Sequence, residues 1–88
     1  MRHRTTAGFW KRFDAQPESV QKLARKNYRL LEGDPRHPSL NFKELADQDP
    51  PLWSARVGRS YRALAVEEEG DLFWFWIGSH AEYDRVIS

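Results

Sequence analysis

The sequence changes its hydrophobic period at Gly33-Asp34-Pro35. Upstream, Val20, Leu23, Ala24, Asn27 and Leu31 fall at i, i+3, i+4, i+7 and i+11, a stripe down one face of a helix, while Lys22, Arg25, Lys26 and Arg29 occupy the other positions. Downstream, Trp53, Ala55 and Val57 alternate with Ser54 and Arg56, the period of a half-buried strand. Gly33 suits a left-handed C′ position and Pro35 forbids continuation of the helix. No internal repeat or Gly/Ser linker interrupts the chain. The expectation is an α+β fold over residues 1–88 as one domain, with two N-terminal helices packed on a small antiparallel sheet.

The elements follow from local signals. Residues 7–14 are expected to form a short helix with Phe9 and Phe13 on one side, and Pro17 fits the first turn of the second. Residues 34–39 form a linker stiffened by two prolines, and Leu40–Leu45 is expected to be a short strand with Leu40 and Phe42 on one face. Gly58-Arg59-Ser60 is a turn leading into the return strand Tyr61–Glu67. A second turn, Glu68-Glu69-Gly70-Asp71, leads to Leu72–Ser79, which is apolar on both faces as a covered central strand would be. Ser79-His80-Ala81-Glu82 has the Ser-x-x-Glu form of a capping box and starts a short C-terminal helical turn.

Composition narrows the function. The longest apolar run, Leu72–Ile77, is far shorter than the ~20 residues that cross a bilayer, so no membrane association is expected. The basic start leads to Phe9-Trp10-Lys11-Arg12 rather than an apolar run, which does not read as a signal peptide. With no cysteine, neither disulfides nor thiolate metal sites can form, and a cytoplasmic location is the expectation. The net charge of +1 hides an asymmetry: residues 1–43 carry +6 and residues 44–88 carry −5. A strongly positive half suits a polyanion, although basic residues also simply solvate helix faces.

Familiar catalytic devices are missing: there is no Gly-rich phosphate loop, nucleophile elbow or His-x-x-x-His pair, and His3, His37 and His80 are far apart. The remaining candidates stand at strand ends. Arg56 and Arg62, on the two strands of one hairpin, could lie side by side and share a phosphodiester through their planar forks. Alternatively, Arg56 pairs with Glu67 or Glu44 in a surface salt bridge of little worth. His80 follows the most apolar strand, where an imidazole could exchange a proton near neutral pH or simply bond to backbone at a helix start. Tyr83 could stack on a base or meet a phosphate, or its ring could cap the core over Trp76.

The order of elements, with Lys43-Glu44-Leu45, then Trp53-Ser54-Ala55-Arg56-Val57-Gly58-Arg59-Ser60-Tyr61-Arg62-Ala63-Leu64, then Trp76-Ile77-Gly78-Ser79-His80-Ala81-Glu82-Tyr83, resembles the RelE/ParE toxin superfamily across residues 9–84. The resemblance implies a microbial RNase-like fold and a type II toxin–antitoxin setting with a cognate antitoxin as partner. RelE-like members cut mRNA in the ribosomal A site without metal or cofactor; ParE-like members act on DNA gyrase and lack the catalytic set. Carried over by position, Arg62 matches the arginine that binds the scissile phosphate, His80 a basic residue, and Tyr83 the C-terminal tyrosine. Lys43 or Glu44 stands near the strand that supplies a lysine or glutamate base. The expected catalytic set is Arg62, His80, Tyr83 and Glu44, with Arg56, Lys43 and Arg59 as RNA-binding residues. Only Arg2–Thr6 could supply the family's first strand.

Three functions remain open at this point. One is a metal-independent, ribosome-associated mRNA endoribonuclease. Another is a ParE-like, non-enzymatic inhibitor of gyrase. The third is a degenerate relative that binds only an antitoxin.

Overall fold

The computed structural model describes residues 1–88. Strand β1 (His3–Thr5) comes first, followed by helices α1 (Ala7–Asp14) and α2 (Glu18–Gly33), a 3-10 turn over Pro38–Leu40, and strands β2 (Lys43–Glu44), β3 (Leu52–Val57), β4 (Tyr61–Glu68) and β5 (Asp71–Ser79). Helix α3 (His80–Ile87) closes the chain. The five strands make one sheet in the order β1-β5-β4-β3-β2.

The α+β class and the two N-terminal helices are as expected, but the sheet is mixed rather than antiparallel. Strand β1 pairs in parallel with β5, His3 opposite Leu72 and Thr5 opposite Trp74, so Arg2–Thr6 does supply the first strand, although it is short. The Leu40–Leu45 strand is a second correction. Pro38 sits in the first turn of the 3-10 segment, Asn41 takes a left-handed φ of 42°, and only Lys43 and Glu44 are left to pair with β3. Gly33 remains helical, and α2 ends at Asp34, whose extended φ of −149° is what a residue before proline prefers. The C-terminal helical turn is a full eight-residue helix, with the capping box formed in both directions between Ser79 and Glu82.

Local chemistry accounts for the hairpins. The two-residue loop Glu69-Gly70 between β4 and β5 has positive φ at both positions (51° and 81°), the backbone that suits the twist of an antiparallel pair and needs a glycine. In β5 the alternation breaks at Phe75: Trp74 pairs with Ala65 but Trp76 pairs with Leu64, so an extra residue is accommodated as a bulge. The bulge turns Trp76 away from Trp74, so the strand is apolar on both faces with one of these indoles on each.

The sheet thereby separates two apolar clusters. On one face Ala55, Val57, Ala63, Ala65, Leu72, Trp74 and Ile77 pack beneath Phe9 and Phe13 of α1 and Val20 and Leu31 of α2. On the other, Leu64, Trp76 and Tyr83 form a smaller cluster under α3, joined by Leu45, Phe75 and Ile87. No helix is long and apolar enough to cross a membrane.

Candidate functional site

The β3–β4 register sets Arg56 directly opposite Arg62, and the β4–β5 register sets Arg62 opposite Gly78. Neighbouring strands lie about 4.8 Å apart, so these three residues form one row across the sheet. The row lies on the face covered by α3, because the Arg62 guanidinium stands 5.4 Å from the centroid of the Tyr83 ring. No carboxylate lies within 4.0 Å of either arginine. The surface salt bridges from Arg56 to Glu67 or Glu44 do not form; Glu67 instead accepts from the Trp53 indole at 2.8 Å.

Helix α3 brings two further candidates to the same place. The capping box fixes its start: Ser79 Oγ accepts from the Glu82 amide at 3.2 Å and Glu82 Oε1 accepts from the Ser79 amide at 3.0 Å. Hydrogen bonds from the Ser79 amide and then its hydroxyl to Oε1 hold the Glu82 carboxyl below its ordinary pKa. One turn on, Tyr83 is 5% exposed and its ring meets Trp76 at 6.4 Å, so it does cap this core. The His80 ring stacks on Tyr83 at 6.0 Å, is exposed, and places Nε2 3.5 Å from Asp84 Oδ2. Tyr83 is thus a shared platform for Arg62 and His80.

Lys43 and Glu44 separate. Lys43 pairs with Ser54, two residues before Arg56, and so shares the face of the arginine row, about 7 Å along the strand. Glu44 pairs with Trp53, whose ring stacks on Phe42 at 4.9 Å and packs on the helix-covered core. The register therefore sets Glu44 on the opposite face, away from Arg56, Arg62, His80 and Tyr83. Arg59 lies exposed in the β3–β4 turn, at the end of the hairpin.

Sequence reasoning missed Arg12. β1 pairs only with Leu72–Trp74, which leaves the rest of that β5 edge without a strand neighbour. Arg12 of α1 reaches it there: Nε donates to the Ile77 carbonyl at 2.9 Å, the guanidinium lies 4.8 Å from the Trp76 ring centroid, and Nη2 approaches Glu82 Oε2 at 3.4 Å. Nothing local in the sequence marks this reach, since it depends on the short length of β1. Ser54 is a second omission. Its hydroxyl is fully buried in the same face, with no hydrogen-bond partner.

The cations of α2 lie elsewhere. Arg25 and Arg29 border a cavity of about 330 Å³ between α2 and the sheet, lined by Phe9, Phe13, Leu31 and Trp74. The positive half of the sequence is thus divided between two sides of the sheet.

Comparisons with known proteins agree with this architecture. The RelB–RelE antitoxin–toxin complex from Methanococcus jannaschii superposes with a TM-score of 0.72 at 12% identity, covering 97% of this chain and 99% of that one. YafQ from E. coli gives 0.72 at 14% identity, with 94% and 98% covered. The YoeB/ParE toxin from Agrobacterium tumefaciens gives 0.64 at 16% identity, with 91% and 99% covered. At these identities the likeness is one of fold. Among curated proteins there is no significant match. The ParE-like toxin domain matches residues 18–85, from the start of α2 into α3. With that match over most of its length, the chain belongs to the ParE-like toxin domain family.

Proposed function

We propose that this protein is the toxin of a type II toxin–antitoxin pair and acts in the cytoplasm as a metal-independent endoribonuclease on ribosome-bound mRNA. The observation that carries the reading is the Arg56–Arg62 pair, side by side with no carboxylate within 4.0 Å, beside a tyrosine that also holds a histidine. Like charges on directly opposed positions of an antiparallel pair are unfavourable, and a phosphodiester, which matches the planar fork of each arginine, relieves them. In the proposed reaction the 2′-hydroxyl attacks the adjacent phosphorus, forming a new O–P bond while the bond to the 5′-oxygen breaks. The products are a 2′,3′-cyclic phosphate and a 5′-hydroxyl. Arg62 and Arg56 stabilise charge developing on the phosphoryl oxygens, the kind of interaction whose loss costs about 10²–10³-fold in rate. His80 takes the 2′-hydroxyl proton and solvent water protonates the departing 5′-oxygen, while Lys43 on the same face offers a cation to the phosphate; Glu44, on the opposite face, is not assigned a step. The partner antitoxin would supply an acidic or amphipathic segment for the basic half of the chain.

A second reading is a non-enzymatic inhibitor of DNA gyrase. It is favoured by the ParE-like description of the matching domain and by the position of Glu44 away from the row. One set of assays separates the two. Purified protein is added to translating ribosomes in chelator and, separately, to a gyrase supercoiling reaction. The proposal expects mRNA cleavage that persists in chelator and falls at least 100-fold in Arg62→Ala, with supercoiling unaffected. Intact mRNA together with blocked supercoiling overturns it in favour of the gyrase reading.

A further inference from the structure

The row of cations does not end at Arg62. The next position across the sheet is Gly78, and the space above it is taken by Arg12: a Cβ built on Gly78 would lie 3.0 Å from Arg12 Nη2. Arg12 comes from α1, which covers the opposite face, and reaches around the part of the β5 edge that β1 leaves unpaired. Its Nε bond to the Ile77 carbonyl and its seat over the Trp76 ring fix the guanidinium in place. An edge-capping role alone would not need a guanidinium, since Gln16 Nε2 reaches the same carbonyl oxygen at 3.5 Å. Two nitrogens are left over. Nη1 has no hydrogen-bond partner, and Nη2 has one long contact to Glu82, whose other oxygen is committed to Ser79.

Arg56, Arg62 and Arg12 thus present three guanidinium groups on three successive positions of one row, with Glu82 as the neighbouring carboxylate. A linear row suits a polymer of phosphates better than a single phosphate, which would call for convergence on one point. We infer that Arg12 is a third phosphodiester ligand, and that the site takes the backbone of single-stranded RNA running across the strands from Arg56 over Arg62 to Arg12. This rests on the nuclease reading of the same face, and goes further by naming a ligand from the helical layer and the direction of the bound strand.

The test uses the full chain and a non-cleavable 2′-O-methyl single-stranded oligonucleotide, with affinity measured by fluorescence anisotropy over a range of salt concentrations. Each phosphate contact contributes about 0.7 to the slope of log K against log salt for a single strand. Arg12→Gln keeps a donor for the Ile77 carbonyl, and it is expected to reduce the slope by about that amount, as Arg56→Gln does. Lys22→Gln, on the outer helix, is expected to leave the slope unchanged. A merely structural Arg12 would lower the melting temperature without changing the slope. If Arg12→Gln does not fold, Glu82→Gln decides: freeing Nη2 is expected to tighten binding severalfold, and unchanged or weaker binding overturns the inference. An unchanged slope in Arg12→Gln while that of Arg56→Gln falls overturns the role of Arg12 and leaves the nuclease reading standing. Failure of the wild type to bind the oligonucleotide overturns the inference, while the nuclease reading is decided separately by the assay on translating ribosomes.

Discussion

Gly78 and Trp76 leave no space between them: a Cβ on Gly78 would lie 2.7 Å from Trp76 Cζ2 and 2.8 Å from Cη2. Both face α3, and the indole is buried, so it cannot swing aside freely. Gly78→Ala is therefore expected to cost about 1–3 kcal/mol as an overpacked site. Urea denaturation followed by tryptophan fluorescence measures it. A change under about 0.5 kcal/mol, in the range of ordinary surface substitutions, would show that the indole yields without strain.

Tyr83 separates the ring from the hydroxyl. Its ring caps the α3 cluster and lies beneath Arg62, while its hydroxyl has no hydrogen-bond partner within the chain. Tyr83→Phe should retain stability to within about 1 kcal/mol, whereas Tyr83→Ala should lose about 3–5 kcal/mol, as large aromatic truncations do. Cleavage assays on Tyr83→Phe then read the hydroxyl alone. A rate equal to wild type assigns Tyr83 a positioning role through its ring.

Ser54 is expected to be replaceable at a gain. Its hydroxyl is buried between the Lys43 and Leu64 positions with no partner, and an orphaned polar group of this kind costs about 1–3 kcal/mol. Ser54→Ala removes that cost with little change in volume. Its urea midpoint should rise without a change in slope; a fall would mean that the hydroxyl is satisfied in solution.

Stability should fall on acidification because of His3. Its Nδ1 accepts a hydrogen bond from the Trp74 indole at 3.1 Å, and its ring packs against Trp74, Tyr28 and Phe42. Burial, as the largest influence, lowers its pKa below 6.5; Glu32 acts in the opposite direction, and the terminal amine adds to the lowering. The neutral ring is thus favoured in the folded state. Its contribution is complete above the unfolded pKa of 6.5 and is lost as pH falls below that toward the folded value. Comparing wild type with His3→Phe by urea denaturation at about pH 7.5 and about pH 5.5 tests this. The wild type should lose more stability than the variant; parallel losses would assign the effect to other groups.

How much of this was legible depended on distance along the chain. The β3–β4 hairpin, the turn before β5 and the Ser79–Glu82 capping box are local, and their residues announce them. The facing of Arg56 and Arg62 followed from the hairpin. The strand at Leu40–Leu45 failed because Pro38 and the left-handed Asn41 use up the segment before pairing begins. The bulge at Phe75, and with it the side on which Trp76 lies, depends on a partner strand. The parallel docking of β1, the placing of Glu44 beneath the other face and the reach of Arg12 arise from contacts between distant segments, which no window of sequence contains.

The pairing of β1 with β5 has one more consequence. His3–Thr5 and Asp71–Ser79 lie far apart in the sequence, yet neither edge of that pair is complete without the other. The helical hairpin is built from neighbouring residues, but Arg12 and Arg62 rest on the rings of Trp76 and Tyr83, which β5 and α3 supply. Assembly of the arginine row therefore waits on the longest-range pairing of the fold: a chain whose β1 and β5 have not met holds the separate pieces of the site without the row that joins them.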